Sequence, residues 1–543
     1  MYNVLFVIWL ITYLVGAVWY VLYLMHMFQQ NSYKPREYRE WMGLHTNVGR
    51  LLGKCLYAIV SFFLVLLTNI EYPAVMIAAC LLNGMTILVN KPHKAKKPLV
   101  YTKRVKRMLF TTGMLYLVVI LAALCVGYCG FIAFPAVEFP WNDLVMWEMW
   151  SASLALLAVF ILQPLLILLV NLINHPIEKG IDQYYINDAA RLLREMPNLK
   201  VIGVTGSYGK TSVKYFLNTL LSSQYNVLYT PGNFNTTLGV VRTIRENMKP
   251  FHEIFICEMG AREVGDIKEI CDLVHPDYGI ITSIGPQHLQ SFHTIENIIS
   301  TKFELADAVP ETGKVFLNYD NSYIKEHKIE KTVVSYGTAE KNVDFQAYDI
   351  EVSARGSSFK MRDENSVVHD FHTKLVGSHN VQNIAGAIAV AHTLGIPMEK
   401  LIYPVKQLES VPHRLQLVKQ GDRIILDDAY NSNKNGFEAA LDTLAMFKEL
   451  RILMTPGMVE LGEKQYDENK EVGVYAADKC DYAVLVGKEQ TKPIQDGLLE
   501  AGFPQGKMIL VDSLQEAFQM VNAIPNERQK VILIENDLPD NYA

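Results

Sequence analysis

Lys200-Val201-Ile202-Gly203-Val204-Thr205, followed at once by Gly206-Ser207-Tyr208-Gly209-Lys210-Thr211-Ser212, is the stretch of this 543-residue chain whose reading decides the fold. Lys200–Thr205 is a short β-branched run and Val213–Leu221 carries a helical pattern, so the glycine-rich segment between them joins a strand to a helix. That order is what a phosphate cradle needs. Backbone N–H groups and the helix N-terminus face the anion, Lys210 neutralises phosphate charge, and the Thr211 hydroxyl can ligate Mg²⁺. Thr205, Gly206, Ser207, Tyr208, Gly209, Lys210, Thr211 and Ser212 are therefore the candidate nucleotide-binding loop. The generic P-loop pattern has a glycine five positions ahead of Gly209, where this chain has Val204. Taken alone, the segment is a weak signal, and an ordinary strand-to-helix turn is its plainer reading.

Downstream, Gly232-Asn233-Phe234-Asn235-Thr236-Thr237-Leu238-Gly239 is a polar loop, and the apolar run Ile254–Cys257 ends in Glu258-Met259-Gly260-Ala261. A carboxylate is thus placed at the carboxyl end of a strand, where open α/β sheets bind ligands. His288 follows within Ser283-Ile284-Gly285-Pro286-Gln287-His288-Leu289, and Lys302 within Ser300-Thr301-Lys302-Phe303-Glu304. Each has a plain structural reading as well: Glu258 as a surface carboxylate, His288 as a loop cap, Lys302 as a solvated helix lysine.

Taken together, TGSYGKTS from Thr205, GNFNTTLG from Gly232, EMGA from Glu258, the His288 loop and TKFEL from Thr301 resemble the ATP-dependent Mur ligases. Within that family the likeness is greatest to the branch that adds D-alanyl-D-alanine to the peptidoglycan precursor. The likeness continues through Gly377-Ser378-His379-Asn380-Val381-Gln382-Asn383, Pro412-His413-Arg414, Asp427-Asp428-Ala429-Tyr430-Asn431-Ser432-Asn433 and Gly457-Met458-Val459-Glu460-Leu461-Gly462. In the family the loop has the form TGxxGK[ST], so Val204 is no defect.

The resemblance implies an amide bond formed between a cell-envelope precursor carboxylate and an amino-acid or dipeptide amine. The route is an acyl phosphate made from ATP, with ADP and phosphate as products. It implies that Thr211 and Glu258 hold a first Mg²⁺, and that His288 and Lys302 serve a second metal position where the lysine is typically carbamylated. It further implies that Lys210 acts on the transferring phosphate, Asn383 with Asn380 recognises adenine, Asp428 holds the ribose, and Arg414 reaches phosphate on domain closure. Helix capping, a turn and a surface cation are the plain readings of the asparagines, Asp428 and Arg414. Tyr430, Asn431, Asn433 and Glu460 line the matching loops, for loop architecture or for substrate contact alike.

Upstream, the chain changes character. Residues 1–108 carry thirteen Lys/Arg against three Asp/Glu, while the remaining residues carry thirty-seven against fifty-three. Val4–Phe28 has no Asp, Glu, Lys or Arg and no basic region before it, so it reads as a retained membrane helix rather than a cleaved signal. Uncharged runs at Cys55–Ile70, Ala74–Asn90, Met108–Val137 and Met149–Asn174 bring the expected crossings to five, the middle two being somewhat short and compatible with a re-entrant pair around Glu71 and Pro73. Lys34, Arg36, Arg39, Arg50 and Lys54 follow the first run, eight Lys/Arg lie between Lys91 and Arg107, and 132–146 has none. Positive charge on the cytoplasmic side then puts everything after about Asn174 in the cytoplasm. No Asp, Glu, Lys or Arg lies deep in a run, so the region reads as an anchor or a lipid site rather than an ion pathway.

The acidic remainder argues against nucleic acid as a partner. Seven scattered cysteines without a CxxC pair suggest neither zinc nor disulfides. The expected architecture is α/β: an N-terminal multi-span α-helical membrane region (1–176), a central P-loop-type ATP-binding domain (177–409) and a C-terminal Rossmann-like ligase domain (410–543). Five apolar runs support the last of these: Ile424–Leu426, Ile452–Met454, Ala483–Val486, Met508–Val511 and Val531–Ile534.

The expected partners are ATP, Mg²⁺, a cell-envelope precursor that is either soluble or lipid-linked, an amino acid or dipeptide, and membrane lipid. Three departures from the family bear on this. Membrane helices stand where the family has a domain that grips the UDP end of the precursor. Thr455-Pro456-Gly457-Met458 has Pro-Gly for Gly-Asp, and Glu535-Asn536-Asp537 replaces a Lys-Gly-Ser-Arg run. The competing classes are an anchored ligase of soluble substrates, a membrane receptor or transporter switched by nucleotide, and a non-catalytic scaffold. Glu258, His288 and Lys302 together speak for acyl-phosphate chemistry over switching.

Overall fold

β1 (Lys200–Thr205) lies inside a mostly parallel sheet with β2 (Val227–Tyr229), β3 (Ile254–Glu258), β4 (Tyr278–Ile281), β5 (Lys314–Asn318), β6 (Val333–Gly337), β7 (Phe345–Ser353), β8 (Gly356–Arg362) and β9 (Val368–Thr373). The computed structural model describes all residues except 1, 68–72, 92–97, 134–143, 288, 354–355, 422, 430–431, 460, 462–463, 526–528 and 537–543. The strand order is β2-β3-β1-β4-β5-β6-β7-β8-β9, parallel as far as β7 and antiparallel from β7 to β9. β1 is flanked by β3 on one side and β4 on the other, so the order reverses beside it. The carboxyl end of β1 is the switch point where such sheets bind ligands.

Helices on both faces explain why the parallel strands read as unbroken apolar runs. The helix Lys210–Leu221 turns Val213, Phe216, Leu217, Leu220 and Leu221 onto Ile202 and Val204. Their spacing is that of one helical face. Each such side chain, fully buried, contributes about 1.5–3 kcal/mol, which anchors the glycine loop between two packed elements.

A second sheet has the order β10 (Gln416–Gln420), β11 (Arg423–Asp428), β15 (Lys530–Glu535), β12 (Leu450–Thr455), β13 (Tyr482–Val486), β14 (Met508–Val511). The five expected runs are β11 to β15. β10 was not expected: it is an antiparallel edge strand paired with β11, and its Val418, Lys419 and Gln420 side chains are exposed. An edge strand needs no continuous apolar run, so composition does not announce it.

The chain divides into two compact units, residues 1–182 and a second beginning at Gln183. The first is helical: Tyr2–Gln30, Pro35–Gly43, His45–Leu67, Pro73–Asn90, Lys103–Ala133 and most of Leu144–Arg194. Among the described residues four helices are long and apolar enough to cross a membrane, within Val7–Gln30, Asn47–Val65, Lys103–Ala133 and Ser151–Arg194, while Ala74–Asn90 is a shorter apolar helix. The expected turn about Glu71 lies outside the described residues. The polar helix expected at Ile181–Glu195 is the end of a 51-residue helix that runs through Pro164 and Pro176. Inside the first unit Trp9 Nε1 donates to Ser61 Oγ at 2.9 Å, and Arg107 meets Glu178 through two bonds of 2.7 and 2.6 Å. Outward side chains such as Phe110, Leu81 and Val126 are 71%, 68% and 66% exposed.

Candidate functional site

The loop after β1 has room for no side chain at its two glycines. Gly206 has φ 150°, and a Cβ there would lie 2.2 Å from Thr282 Oγ1; Gly209 has φ 82°, and its Cβ would lie 2.6 Å from Asn383 Oδ1. The loop is tied to the segment after β4: Ser207 N donates to Ser283 O at 2.6 Å, and Gly285 N donates to Ser207 Oγ at 3.1 Å. Thr205 Oγ1 donates to Met259 O at 2.9 Å. The helix begins at Lys210 with Gly209 as its N-cap, so its free N–H groups open on the loop.

Parallel pairing places Val204 opposite Glu258, which brings the end of β3 to the first turn of that helix. Thr211 Oγ1 donates to Glu258 Oε1 at 3.0 Å, Asn235 Nδ2 donates to the same oxygen at 3.2 Å, and Lys214 Nζ sits 2.8 Å from Oε2. Lys214 is 0% and Glu258 1% exposed. Burial pushes the Glu258 carboxyl up, but Lys214, Lys210 and Asn235 outweigh it and hold the group below its usual value. The carboxylate is therefore anionic without being solvated.

Lys210 Nζ donates to Gly206 O at 2.7 Å and Ser207 O at 3.0 Å. Burial lowers its ammonium to about 8, with Glu258 opposing and Arg414 adding to the shift. Lys302 lies on the helix Ile295–Ala308 and is 3% exposed. Burial first and Lys210 second lower it to about 7, against the pull of Asp266 and Glu304. Among the described residues no hydrogen bond or ion pair holds its amine. Glu304, two positions on, accepts from Gly265 N and Lys268 N at 2.8 Å each and braces the start of the helix Asp266–Val274.

Mg²⁺ fits this donor set. A hydroxyl and a carboxylate are oxygen donors of the kind hard Mg²⁺ prefers, and Thr211 and Glu258 would supply them side by side. His288 lies outside the described residues, as do Tyr430, Asn431 and Glu460.

Asn383 faces Gly209 from the helix Ser378–Thr393, while Asn380 donates to Val376 O at 2.8 Å at the start of the same helix. Asn433 caps the helix Lys434–Ala445 by accepting from Gly436 N at 3.0 Å, the architectural of its two readings. Arg414 stands between His413 and Leu415, both non-glycine residues at positive φ of 60° and 45°. The end of β11 pins this turn: Asp427 Oδ2 lies 2.8 Å from His413 Nδ1, and Leu415 N donates to Asp428 Oδ1 at 3.0 Å. The charge of Arg414 acts on both Lys210 and Asp428. Lys214 was missed in the sequence. Its position three residues after Thr211 on one helix face was the available signal.

The family description Mur ligase middle domain matches residues 204–391, and the description Mur ligase, glutamate ligase domain matches 413–534. The UDP-N-acetylmuramoyl-tripeptide--D-alanyl-D-alanine ligase of Escherichia coli K12 is 29% identical over 330 residues, which is 59% of this chain and 73% of that protein. The Bacillus subtilis ligase of the same name is 32% identical over 293 residues, 53% of this chain and 63% of that one. Among solved structures, MurF from Acinetobacter baumannii superposes with a TM-score of 0.59 at 25% identity, covering 65% of this chain and 77% of that chain. The fold is also that of MurF from Thermotoga maritima in complex with ADP, with a TM-score of 0.59 at 24% identity over 66% of this chain and 80% of that one.

Proposed function

The chain belongs to the Mur ligase family of ATP-dependent ligases, and from that premise we propose that it joins the carboxylate of a cell-envelope precursor to the amine of an amino acid or dipeptide. The amine carried in the names of its relatives is D-alanyl-D-alanine. The meeting of the Thr211 hydroxyl and the Glu258 carboxylate beside the glycine loop carries this reading.

Forming an amide from a carboxylate and an amine in water is uphill, so the carboxylate first takes the γ-phosphoryl group of ATP. The amine attacks the acyl phosphate, phosphate leaves, and ADP remains. Bringing two anions together requires positive charge at the transferring group. Lys210, the first residue of the helix, exchanges its bonds to Gly206 O and Ser207 O for phosphate oxygens. Thr211 and Glu258 would hold Mg²⁺, which supplies charge neutralisation when bound. Lys302, buried and largely unprotonated above pH 7, can react with CO₂ to give a carbamate, an oxygen donor that with His288 would serve a second metal position. Asn383, with Asn380 bracing its helix, meets adenine; Asp428 holds the ribose; Arg414 reaches phosphate from the turn at 413–415.

We assign 177–409 and 410–543 to the two ligase domains, on the cytoplasmic side where ATP is, and 1–176 to a multi-pass membrane region. The four apolar helices and the basic residues between Lys34 and Arg107 support this. A lipid-linked acceptor is the finer reading of the substrate, favoured by the outward apolar side chains of the first unit. The test is to incubate the detergent-solubilised protein with ATP, UDP-linked or lipid-linked muramoyl tripeptide, and D-alanyl-D-alanine, following phosphate and product mass. Ligation with ADP release is expected. Phosphate release that ignores both acceptor and amine would overturn the reading.

A further inference from the structure

β11 and β15 run parallel, and their last residues, Asp428 and Glu535, are register partners. Side chains of register partners project to the same face of a sheet, here at the carboxyl ends of two strands. Glu535 is 1% exposed. Its Oε1 accepts from Ser432 Oγ at 2.6 Å, and its Oε2 is buried without a donor. Asp428 Oδ1 already accepts from Leu415 N. Two carboxylates placed together, Glu535 sealed from water and Asp428 half-buried, do not readily both stay ionised, and a buried acceptor without a donor costs about 1–3 kcal/mol. One proton removes both problems: a protonated Glu535 becomes a donor, and the neighbouring Asp428 is its acceptor.

The charged groups that act on the pair, among the described residues, are Arg414 from the turn at 413–415 and Asp427 on β11, itself paired with His413. Burial raises Asp428 to about 6, with Arg414 opposing; burial and then Asp428 drive Glu535 well above the usual carboxylate range. The proton therefore rests on Glu535 at neutral pH, leaving a single negative charge on Asp428.

We infer that Glu535 is a positioning residue: it shares one proton with Asp428 and so orients that carboxylate as the one anionic acceptor for a ribose hydroxyl of the nucleotide. This rests on the assignment of Asp428 to the ribose given above. Without the proton, Asp428 would face a second negative charge and turn away from it. With a second proton, below about pH 6, it would cease to be an anion. Discrimination between a ribose and a deoxyribose is therefore greatest between these limits.

The test measures binding of ADP, 2′-deoxy-ADP and 3′-deoxy-ADP to the full-length detergent-solubilised protein by calorimetry from pH 5.5 to 9. The ratio of dissociation constants, deoxy over ribo, cancels the titration of the phosphates. In the wild type one ratio is expected to reach about tenfold near pH 7, a hydrogen bond to a charged group being worth that much or more, and to fall towards both ends of the range. Glu535→Gln keeps a permanent donor and should retain the discrimination while losing its alkaline fall. Glu535→Ala should lose most of it, and Asp428→Asn should lose it while the loop still binds ADP. If Asp428→Asn discriminates as the wild type does, the ribose assignment fails and this inference with it. If Asp428→Asn loses discrimination but Glu535→Gln follows the wild-type pH profile throughout, the ribose assignment stands and the shared proton is overturned. Should Glu535→Ala fail to fold, the Glu535→Gln profile decides alone.

Discussion

Lys214 Nζ lies 2.8 Å from Glu258 Oε2, and both side chains are sealed from water. Lys214 also donates to Gly232 O at 2.7 Å, which ties the loop before Asn235 to the same carboxylate. Removing one partner of a buried pair leaves the other charge uncompensated, at about 3–5 kcal/mol. Lys214→Met is therefore expected to lower stability by about that amount in denaturant melts of the purified protein, and Mg²⁺ with ADP should restore more stability to this variant than to the wild type. A variant within about 1 kcal/mol of wild type would show that the pair does not hold the site together.

Lys210 supplies charge to the loop and touches its carbonyls. Lys210→Ala should reduce ATP-dependent ligation by about 10²–10³ or more, as loss of a donor to developing charge does. Product mass at saturating substrates measures this, and near-wild-type turnover would remove Lys210 from the mechanism.

Lys302 is lowered from the ordinary 10.5 to about 7 by burial. Only the free amine attacks CO₂, so carbamate formation should rise with pH through about 7 and fade below it. Protein stripped of bicarbonate at low pH should be inactive and should regain activity with added bicarbonate faster at pH 8 than at pH 6. Lys302→Ala should be inactive and partly rescued by short-chain carboxylates. An active alanine variant, indifferent to bicarbonate, would sink the carbamate.

The charge asymmetry around the apolar helices has a direct readout. A reporter enzyme active only outside the membrane should be silent when fused after Ala543 and active when inserted within 132–146. The reverse pattern would overturn the orientation.

A lipid-linked acceptor gains about 0.8 kcal/mol for each CH₂ buried among apolar helices. The full chain should then prefer the lipid-linked muramoyl tripeptide to the UDP-linked one by a large factor in kcat/KM, expressed mainly in KM. Equal use of both would reduce the first 176 residues to a tether.

What the sequence by itself determined are the features written in contiguous residues. The β-branched run before Gly206 becomes β1, the apolar runs of the C-terminal half become β11 to β15, and the long uncharged segments become helices, because local periodicity and burial on both faces leave a one-dimensional trace. Lys210 and Thr211 were legible for the same reason, lying within a few residues of the loop glycines. The tertiary structure decided the pairings. Lys214 meets Glu258 across 44 positions through the β1–β3 register, and Asp428 meets Glu535 across 107 through β11–β15. No local pattern records such distances, since strand order and register set them, and burial then turns ordinary side chains into an ion pair and a proton-sharing pair.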